Sequence, residues 1–232
     1  SEMIWKNLKT LLIVVALMIA FNPVVGAQPQ TINKEAIQPS NTNPWYWEYE
    51  GDPVVLIGGS NDDNLYQWTG KKLTNHLDLL SSLGGNYVRN TMSDRDAGNV
   101  YAFQKVQGDK YDLDKWNDEY WQRLKFFLEE TSKRDIIVQL TLWDHFDWGD
   151  KHPWINNVNL KSGLIEDDND FFASVYEDKE RLLSYQQSYI DKILSITLQY
   201  GNVLYNINNE GSTKKEWDNY WTSYIKKQAR EA

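Results

Sequence analysis

The chain of 232 residues contains no cysteine. Disulfides, cysteine-bound metals, lipid attachment at cysteine and a thiol nucleophile are therefore excluded, and several enzyme classes with them. Without covalent cross-links, the fold has to be stabilised by the burial of apolar surface.

Histidine is scarce as well, with His76, His145 and His152 as the three examples. None of them belongs to an H-x-H or H-E-x-x-H pattern, so a zinc hydrolase is poorly supported. The acidic run 167–170 lacks the glycine and the distal glutamate of a calcium-binding EF-hand loop, and we predict a solvated loop there. The chain also has no G-x-S-x-G motif, which argues against the usual serine esterases. We expect neither a metal nor a cofactor.

The chain has few positive charges. It contains 24 Lys and Arg residues and 33 Asp and Glu residues, which gives a formal net charge of -9. Residues 1–27 carry Glu2, Lys6 and Lys9, or +1, so the remainder carries -9 - 1 = -10. An acidic chain of this kind is a poor ligand for nucleic acid or anionic lipid, and we expect no nucleic-acid partner.

Long hydrophobic runs are limited to residues 11–20, which follow two lysines and precede the small residues 25–27. This order of charged, apolar and small residues is typical of a secretory signal, so we predict a signal peptide over 1–27. A membrane anchor is the competing interpretation, but Asn22 and Pro23 hold the run well below the ~20 residues that span a bilayer. We expect no stable anchor, and a secreted or periplasmic protein.

Residues 28–43 are rich in Gln, Asn, Thr, Pro and Ser, and this composition predicts a flexible leader. The folded part is predicted to cover 44–232.

Aromatic residues are abundant, with 11 Trp and 14 Tyr. For Trp121, Phe126 and Phe127, at helical spacing, we expect a place in the core. Other rings fall in polar segments, where they are either loop packing or stacking surfaces for a ligand. These are Trp68 and the group after the third strand, namely Trp143, His145, Phe146, Trp148, His152 and Trp154.

Strand-like and helix-like segments alternate along the folded part. Two β-prone runs, Trp45–Tyr49 and Pro53–Ile57, are separated by Glu50-Gly51-Asp52 and predict a hairpin or a turn that leads into this series. The periodicity predicts strands at 54–57, 86–90, 136–142 and 203–208, and helices at 73–83, 117–134, 183–200 and 217–230. A long loop is predicted over 143–179. Four βα units of this kind predict an α/β fold with right-handed crossovers.

Two architectures fit this alternation, an open doubly wound sheet and a (β/α)8 barrel of the TIM type with about four of its units present. The open sheet usually carries a G-x-G-x-x-G phosphate loop after its first strand. Gly58-Gly59-Ser60 lacks that spacing, so the sequence favours the partial barrel.

Functional residues of such folds gather where the strands end. The four ends carry polar or aromatic residues, which polar loops could also produce by chance. In chain order they are Ser60, Asn61 and Asp62; Arg89, Asn90 and Asp94; Trp143, Asp144, His145 and Phe146; and Asn208, Asn209 and Glu210.

Three of these ends resemble a known family. Arg89-Asn90, the Trp143 end and above all Asn209-Glu210 on the fourth strand are similar to the first half of a clan A glycoside hydrolase, the (β/α)8 group that includes the family 5 cellulases. The resemblance covers residues 44–232. It implies that Glu210 is the general acid/base, that Asn209 contacts a sugar 2-hydroxyl and that Arg89 supports the nucleophile.

A general acid for a glycosidic oxygen works best beside apolar or aromatic groups, and we expect Glu210 to be buried near Ile207. The competing interpretation makes Glu210 a charge at the N-terminus of the last helix. The predicted carbohydrate-binding residues are Asn209, Arg89, Asn90, Trp143, Asp144, His145 and Trp148.

The chain departs from the clan at one point, because the clan's nucleophile is a second Glu after strand seven and no residue here matches it. The resemblance implies a retaining, two-carboxylate reaction. We therefore predict an exported glycoside hydrolase fragment that is inactive alone. The alternatives are a non-catalytic carbohydrate-binding or scaffold protein, and two copies that pair through the open barrel edge.

Overall fold

Three parallel strands form the central sheet, in the order β4 (Tyr87–Thr91), β7 (Ile137–Asp144) and β8 (Val203–Asn209). The computed structural model describes residues 36–147, 152–156, 158–161, 164–165, 168–177, 179–211 and 213–232. Tyr87 is the register partner of Ile137, and Val138 that of Val203. The predicted parallel strands at 86–90, 136–142 and 203–208 are therefore present, each shifted or lengthened by one or two residues.

The predicted first strand, 54–57, is reduced to one bridge. Gly58 pairs in parallel with Tyr87, and the Asn86 N–H donates to the carbonyl of Ile57 over 2.8 Å. Residues 55–58 therefore run beside β4 without forming a regular ladder. Gly58 is required there, because a Cβ would lie 1.9 Å from the Tyr87 carbonyl oxygen.

A small antiparallel sheet precedes the parallel one and consists of β1 (Gln38–Pro39), β2 (Trp47–Tyr49) and β3 (Asp52–Val54). Glu50 and Gly51 join β2 to β3 with φ of 54° and 86°. Two residues of positive φ are typical of the type I′ hairpin, whose twist matches that of the strands. The hairpin prediction is confirmed for this segment.

The antiparallel sheet packs against the first residues of the parallel strands. Ile37, Tyr49 and Ile137 form a separate buried cluster, with Tyr87 and Leu204 packed against it. Since β1 is paired and Ile37 is buried, the fold begins before residue 44, and the predicted leader 28–43 is too long at its C-terminal end. The predicted signal peptide 1–27 and residues 28–35 lie outside the described residues.

Four long helices connect and flank the parallel strands: α1 (Gly70–Ser82), α2 (Asp118–Ser132), α4 (Glu180–Thr197) and α5 (Lys215–Glu231). Asn117 caps α2, because its side-chain oxygen accepts from the Glu119 N–H over 3.2 Å. All four correspond to predicted helices. None of the helices among the described residues is long and apolar enough to cross a bilayer.

Three further elements lie in segments predicted as loops. β5 (Phe103–Lys105) and β6 (Tyr111–Trp116) form an antiparallel pair between β4 and α2. A short helix, α3 (Asp168–Ala173), interrupts the long segment after β7. The predicted solvated acidic loop at 167–170 is therefore wrong for Asp168–Asp170, which form the first turn of α3.

An aromatic cluster dominates the core on the helix side of the sheet. Trp143 lies at its centre, with its ring 5.3 Å from Phe171, 5.5 Å from Tyr189 and 5.3 Å from Trp221. Trp217 is fully buried 5.9 Å from Trp143. The cluster joins α3, α4 and α5 directly beneath the C-terminal ends of the strands.

Candidate functional site

The C-terminal ends of β7 and β8 lie in register. Asp144 pairs with Asn209, and Trp143 with Asn208. Neighbouring residues on a strand point to opposite faces of the sheet. Asp144 and Asn209 therefore share a face, and Trp143 turns toward the helices.

Asn209 lies between two other predicted site residues. Its side-chain Oδ1 accepts a hydrogen bond from the Arg89 guanidinium of β4, and its Nδ2 donates to Asp144 Oδ1 over 3.1 Å. Asn209 is half-buried. The structure thus brings together Arg89, Asp144 and Asn209, which are separated by up to 120 residues in the sequence.

Glu210 follows β8 directly and has a φ of 49°. This left-handed conformation is uncommon for a residue with a Cβ and costs free energy. The residue is exposed, so the expected burial beside Ile207 is wrong. No hydrogen bond joins its carboxylate to another of the described residues.

The competing interpretation of Glu210 as a helix-terminal charge does not match the structure. α5 begins five residues later, at Lys215, with Lys214 as its N-cap residue. Glu216 and Asp218 supply the acidic side chains of its first turn.

Asp144 is the most buried charge at these strand ends, with a side chain 1% exposed. Its Oδ2 forms an ion pair with Arg95, and its Oδ1 accepts from the Phe146 N–H over 3.2 Å as well as from Asn209. Arg95 also pairs with Asp63 over 2.8 Å. The sequence-based prediction of the site did not include Arg95 or Asp63, because only the fold brings these loops together.

Two predicted carbohydrate-binding residues have structural partners instead. Asn90 is fully buried, and its Oδ1 accepts from the Tyr66 backbone N–H over 3.0 Å. Trp143 is 4% exposed within the aromatic cluster. Neither side chain presents a free surface to a sugar in this structure.

The segment after β7 carries the remaining aromatic candidates. His145 is half-buried, with its ring 5.2 Å from Phe172, and Phe146 is 59% exposed. Trp154 is buried, with its ring 5.0 Å from Phe103. Trp148 lies outside the described residues. Among the rings considered, Phe146 therefore offers the largest open face.

A pocket opens between β7 and the segment that follows it. Its space for solvent, about 30 Å³, holds one or two water molecules and is too small for a sugar ring. In the part of the chain that is described, no group of three or more His, Asp or Glu residues could hold a metal ion. The residues that line the pocket include Trp143, Trp154, Phe172, Asp94, Asp144 and His152.

Three solved structures are similar to this chain in fold. An endo-1,4-β-mannanase from Rhizomucor miehei matches with a TM-score of 0.58 at 16% identity, over 83% of this chain and 58% of the mannanase. A glycoside hydrolase family 5 mannosidase from the same organism matches with a TM-score of 0.59 at 14% identity, over 84% of this chain and 54% of the mannosidase. An exo-β-1,4-mannosidase from Opitutaceae bacterium strain TAV5 has a TM-score of 0.51 at 16% identity, over 80% of this chain and 32% of its own.

These matches confirm the resemblance to family 5 of clan A at the level of the fold. Identities of 14–16% carry no information about activity or substrate. The chain spans little more than half the length of the two Rhizomucor miehei structures. No model of a protein family and no curated protein matches the sequence.

Proposed function

We propose that this chain is part of a retaining glycoside hydrolase and carries the acid/base side of its active site on a partial (β/α)8 barrel. One observation carries the proposal. Asn209, held between Arg89 and Asp144, precedes the exposed Glu210 at the end of the last of the parallel strands. A carboxylate at this edge of a parallel sheet is in the usual place for catalysis.

Each residue has a distinct role in the proposed reaction. Glu210 donates a proton to the leaving glycosidic oxygen and later accepts one from water. Asn209 Nδ2 has two hydrogens, and the one not donated to Asp144 can reach a sugar hydroxyl. Arg89 holds the amide oxygen of Asn209 and brings a fixed positive charge that favours an anionic nucleophile nearby.

A retaining reaction needs a second carboxyl group ~5 Å from the first. Among the described residues, Glu210 has no hydrogen-bonded partner, and Asp144 is engaged by Arg95 and Asn209. We propose that the nucleophile belongs to the remainder of the barrel, outside these 232 residues, and that the 232 residues alone do not hydrolyse.

The proposed substrate is a poly- or oligosaccharide, and β-mannosides are the first to test. This choice rests on the mannanase and the mannosidases with the same fold. Export with removal of residues 1–27 remains a proposal, and N-terminal sequencing of the protein recovered outside the cytoplasm would test it.

The decisive experiment compares Glu210→Gln with the wild type on β-1,4-mannan and manno-oligosaccharides, by release of reducing ends. It uses the polypeptide encoded by the complete reading frame. Loss of a general acid should lower kcat by about 10²- to 10⁴-fold and leave oligosaccharide binding nearly unchanged. Glu216→Gln, at an exposed position of α5, is the matched control. Hydrolysis that survives Glu210→Gln would show that the assignment is wrong.

The second candidate is a non-catalytic carbohydrate-binding protein, which is supported by the engagement of Asp144, the carboxylate on the neighbouring strand, with Arg95 and Asn209. It predicts oligosaccharide binding without hydrolysis in the wild type. Self-association also stays a prediction, and the exposed Val55 and Ile57 lie at the sheet edge where a second copy would pair. A monomer in analytical ultracentrifugation would contradict that pairing.

A further inference from the structure

Five side chains form a continuous hydrogen-bonded chain across the C-terminal edge of the sheet, and we call them the rim chain. Arg95 Nη2 contacts Asp63 Oδ2 over 2.8 Å, and Arg95 Nη1 contacts Asp144 Oδ2. Asp144 Oδ1 accepts from Asn209, which in turn accepts from Arg89. In order, its members are Asp63, Arg95, Asp144, Asn209 and Arg89.

The rim chain fixes which way the Asn209 amide points. An asparagine amide can turn over with almost no change in shape, so its orientation depends on its partners. The Asp144 carboxylate can only accept and the Arg89 guanidinium can only donate. With Nδ2 toward Asp144 and Oδ1 toward Arg89, both contacts are satisfied. In the reverse orientation the amide oxygen would face the Asp144 carboxylate, and the amide N–H groups would face the Arg89 guanidinium, so neither hydrogen bond could form.

Arg95 makes this arrangement possible, because the Asp144 side chain is 1% exposed and a buried carboxylate is costly without a partner. Arg95 itself is held on both sides, by Asp63 and by the Ser93 hydroxyl at 2.7 Å. The positive charge of Arg95 stabilises the ionised, hydrogen-bond-accepting form of the buried Asp144 carboxylate.

We propose that Arg95 and Asp144 are positioning residues that act through Asn209, and that Asp144 does not contact the sugar. The proposal changes the predicted role of Asp144 and adds Arg95. Its catalytic consequence rests on the proposed glycoside hydrolase function, whereas the orientation of Asn209 does not depend on that function.

The effect should appear in kcat more than in KM. Contacts to the sugar 2-hydroxyl strengthen in the transition state of glycoside hydrolysis, so a misplaced amide loses more there than in the ground state. A displacement of about 1 Å costs up to about a hundredfold in rate. Because both variants disturb the same amide, the double variant should be little worse than the poorer single one.

The test uses Asp144→Asn, Arg95→Met and the double variant, in two measurements. In the 232-residue chain, the side-chain amide signal of Asn209 is followed by ¹H–¹⁵N NMR and identified by its loss in Asn209→Asp. The buried Asn202 amide, which donates to the Ile136 carbonyl over 2.8 Å, is the internal reference. In the complete polypeptide, kcat and KM are measured on manno-oligosaccharides.

We expect the Asn209 signal to move in each variant while that of Asn202 stays, with a fall in kcat of about ten- to a hundredfold and little change in KM. Asp78→Asn is the control for a lost ion pair. Asp78 Oδ1 pairs with Arg134 Nε over 2.7 Å, and neither residue belongs to the rim chain. If Asp144→Asn does not fold, Arg95→Met provides the same measurements at a side chain that is 35% exposed.

An Asn209 signal that neither variant moves would overturn the inference, and so would a normal kcat alongside a displaced signal. If the wild type hydrolyses no mannoside, the proposed function fails at that substrate class. The NMR measurement then decides the orientation of Asn209 by itself.

Discussion

Replacing Glu210 with glycine should stabilise the fold while removing the proposed acid. Glu210 has a φ of 49° and is exposed, so its side chain gains little from burial. A left-handed backbone costs a residue with a Cβ roughly 1–2 kcal/mol. Glycine avoids this cost. It also gives the unfolded chain more conformational entropy, which lowers the free energy of unfolding by about 0.4–1 kcal/mol. The net gain in free energy of unfolding should be about 0.5–1 kcal/mol.

Thermal unfolding followed by circular dichroism measures this gain. A change of 1 kcal/mol shifts the midpoint by roughly 2–4 °C in a protein of this size, so we expect Glu210→Gly to raise Tm by about 2 °C. Glu210→Gln keeps the strained backbone and removes the charge, and should leave Tm almost unchanged. Asp135→Gly is a second control, because Asp135 has a φ of 52° before β7, far from the site in sequence.

A Tm that rises in Asp135→Gly but not in Glu210→Gly would refute the reasoning, because it would mean that no strain is stored at Glu210. An equal rise in Tm for both variants, with loss of hydrolysis only in Glu210→Gly, would show that the strained backbone at the strand end lowers stability but is needed to place the Glu210 carboxylate.

Three further predictions concern the fold. Trp217→Ala should cost about 3–5 kcal/mol in urea unfolding, because the ring is fully buried in the aromatic cluster, and a loss below 1 kcal/mol would contradict that packing. Burial raises the pKa of Tyr205 to about 12, so its contribution to stability is complete below pH 10 and is lost as pH rises toward 12. Tyr205→Phe should therefore reduce the fall in stability between pH 10 and 12, and an unchanged fall would contradict this. Gly58→Ala should destabilise by about 1–3 kcal/mol through its clash with Tyr87, whereas Gly59→Ala, with open space around it, should not.

The elements that the sequence predicted well have strong local signals. α2 combines a capping Asn117 with apolar residues such as Trp121 and Leu128 on one face. β7 is almost continuously apolar, as a strand covered on both faces should be. β6 also had a signal, since Tyr111 and Leu113 alternate with Asp112 and are buried, but it lay in a segment interpreted as a polar loop.

The structure brings together only some of the predicted site residues, and their contacts were not predictable from the sequence. Asn209 and Arg89 followed from their places at strand ends, and they do meet. The ion pair of Arg95 with Asp144 joins residues 49 positions apart, and no local pattern announces it. The exposure of Glu210 was missed because it depends on the left-handed turn after β8, which an Asn-Asn-Glu-Gly sequence permits but does not require.

The hydrogen bond from the Ile37 N–H to the Gly201 carbonyl, at 2.8 Å, has a consequence for the order of folding. It joins residues 201 - 37 = 164 positions apart, and the cluster of Ile37 with Ile137 and Leu204 is of similar range. Contacts of such separation form late, because the chain between them has to be ordered first. During synthesis β1 can pair with β2 early, whereas Ile37 cannot bond to Gly201 or complete its cluster with Leu204 until the chain has been made beyond residue 204.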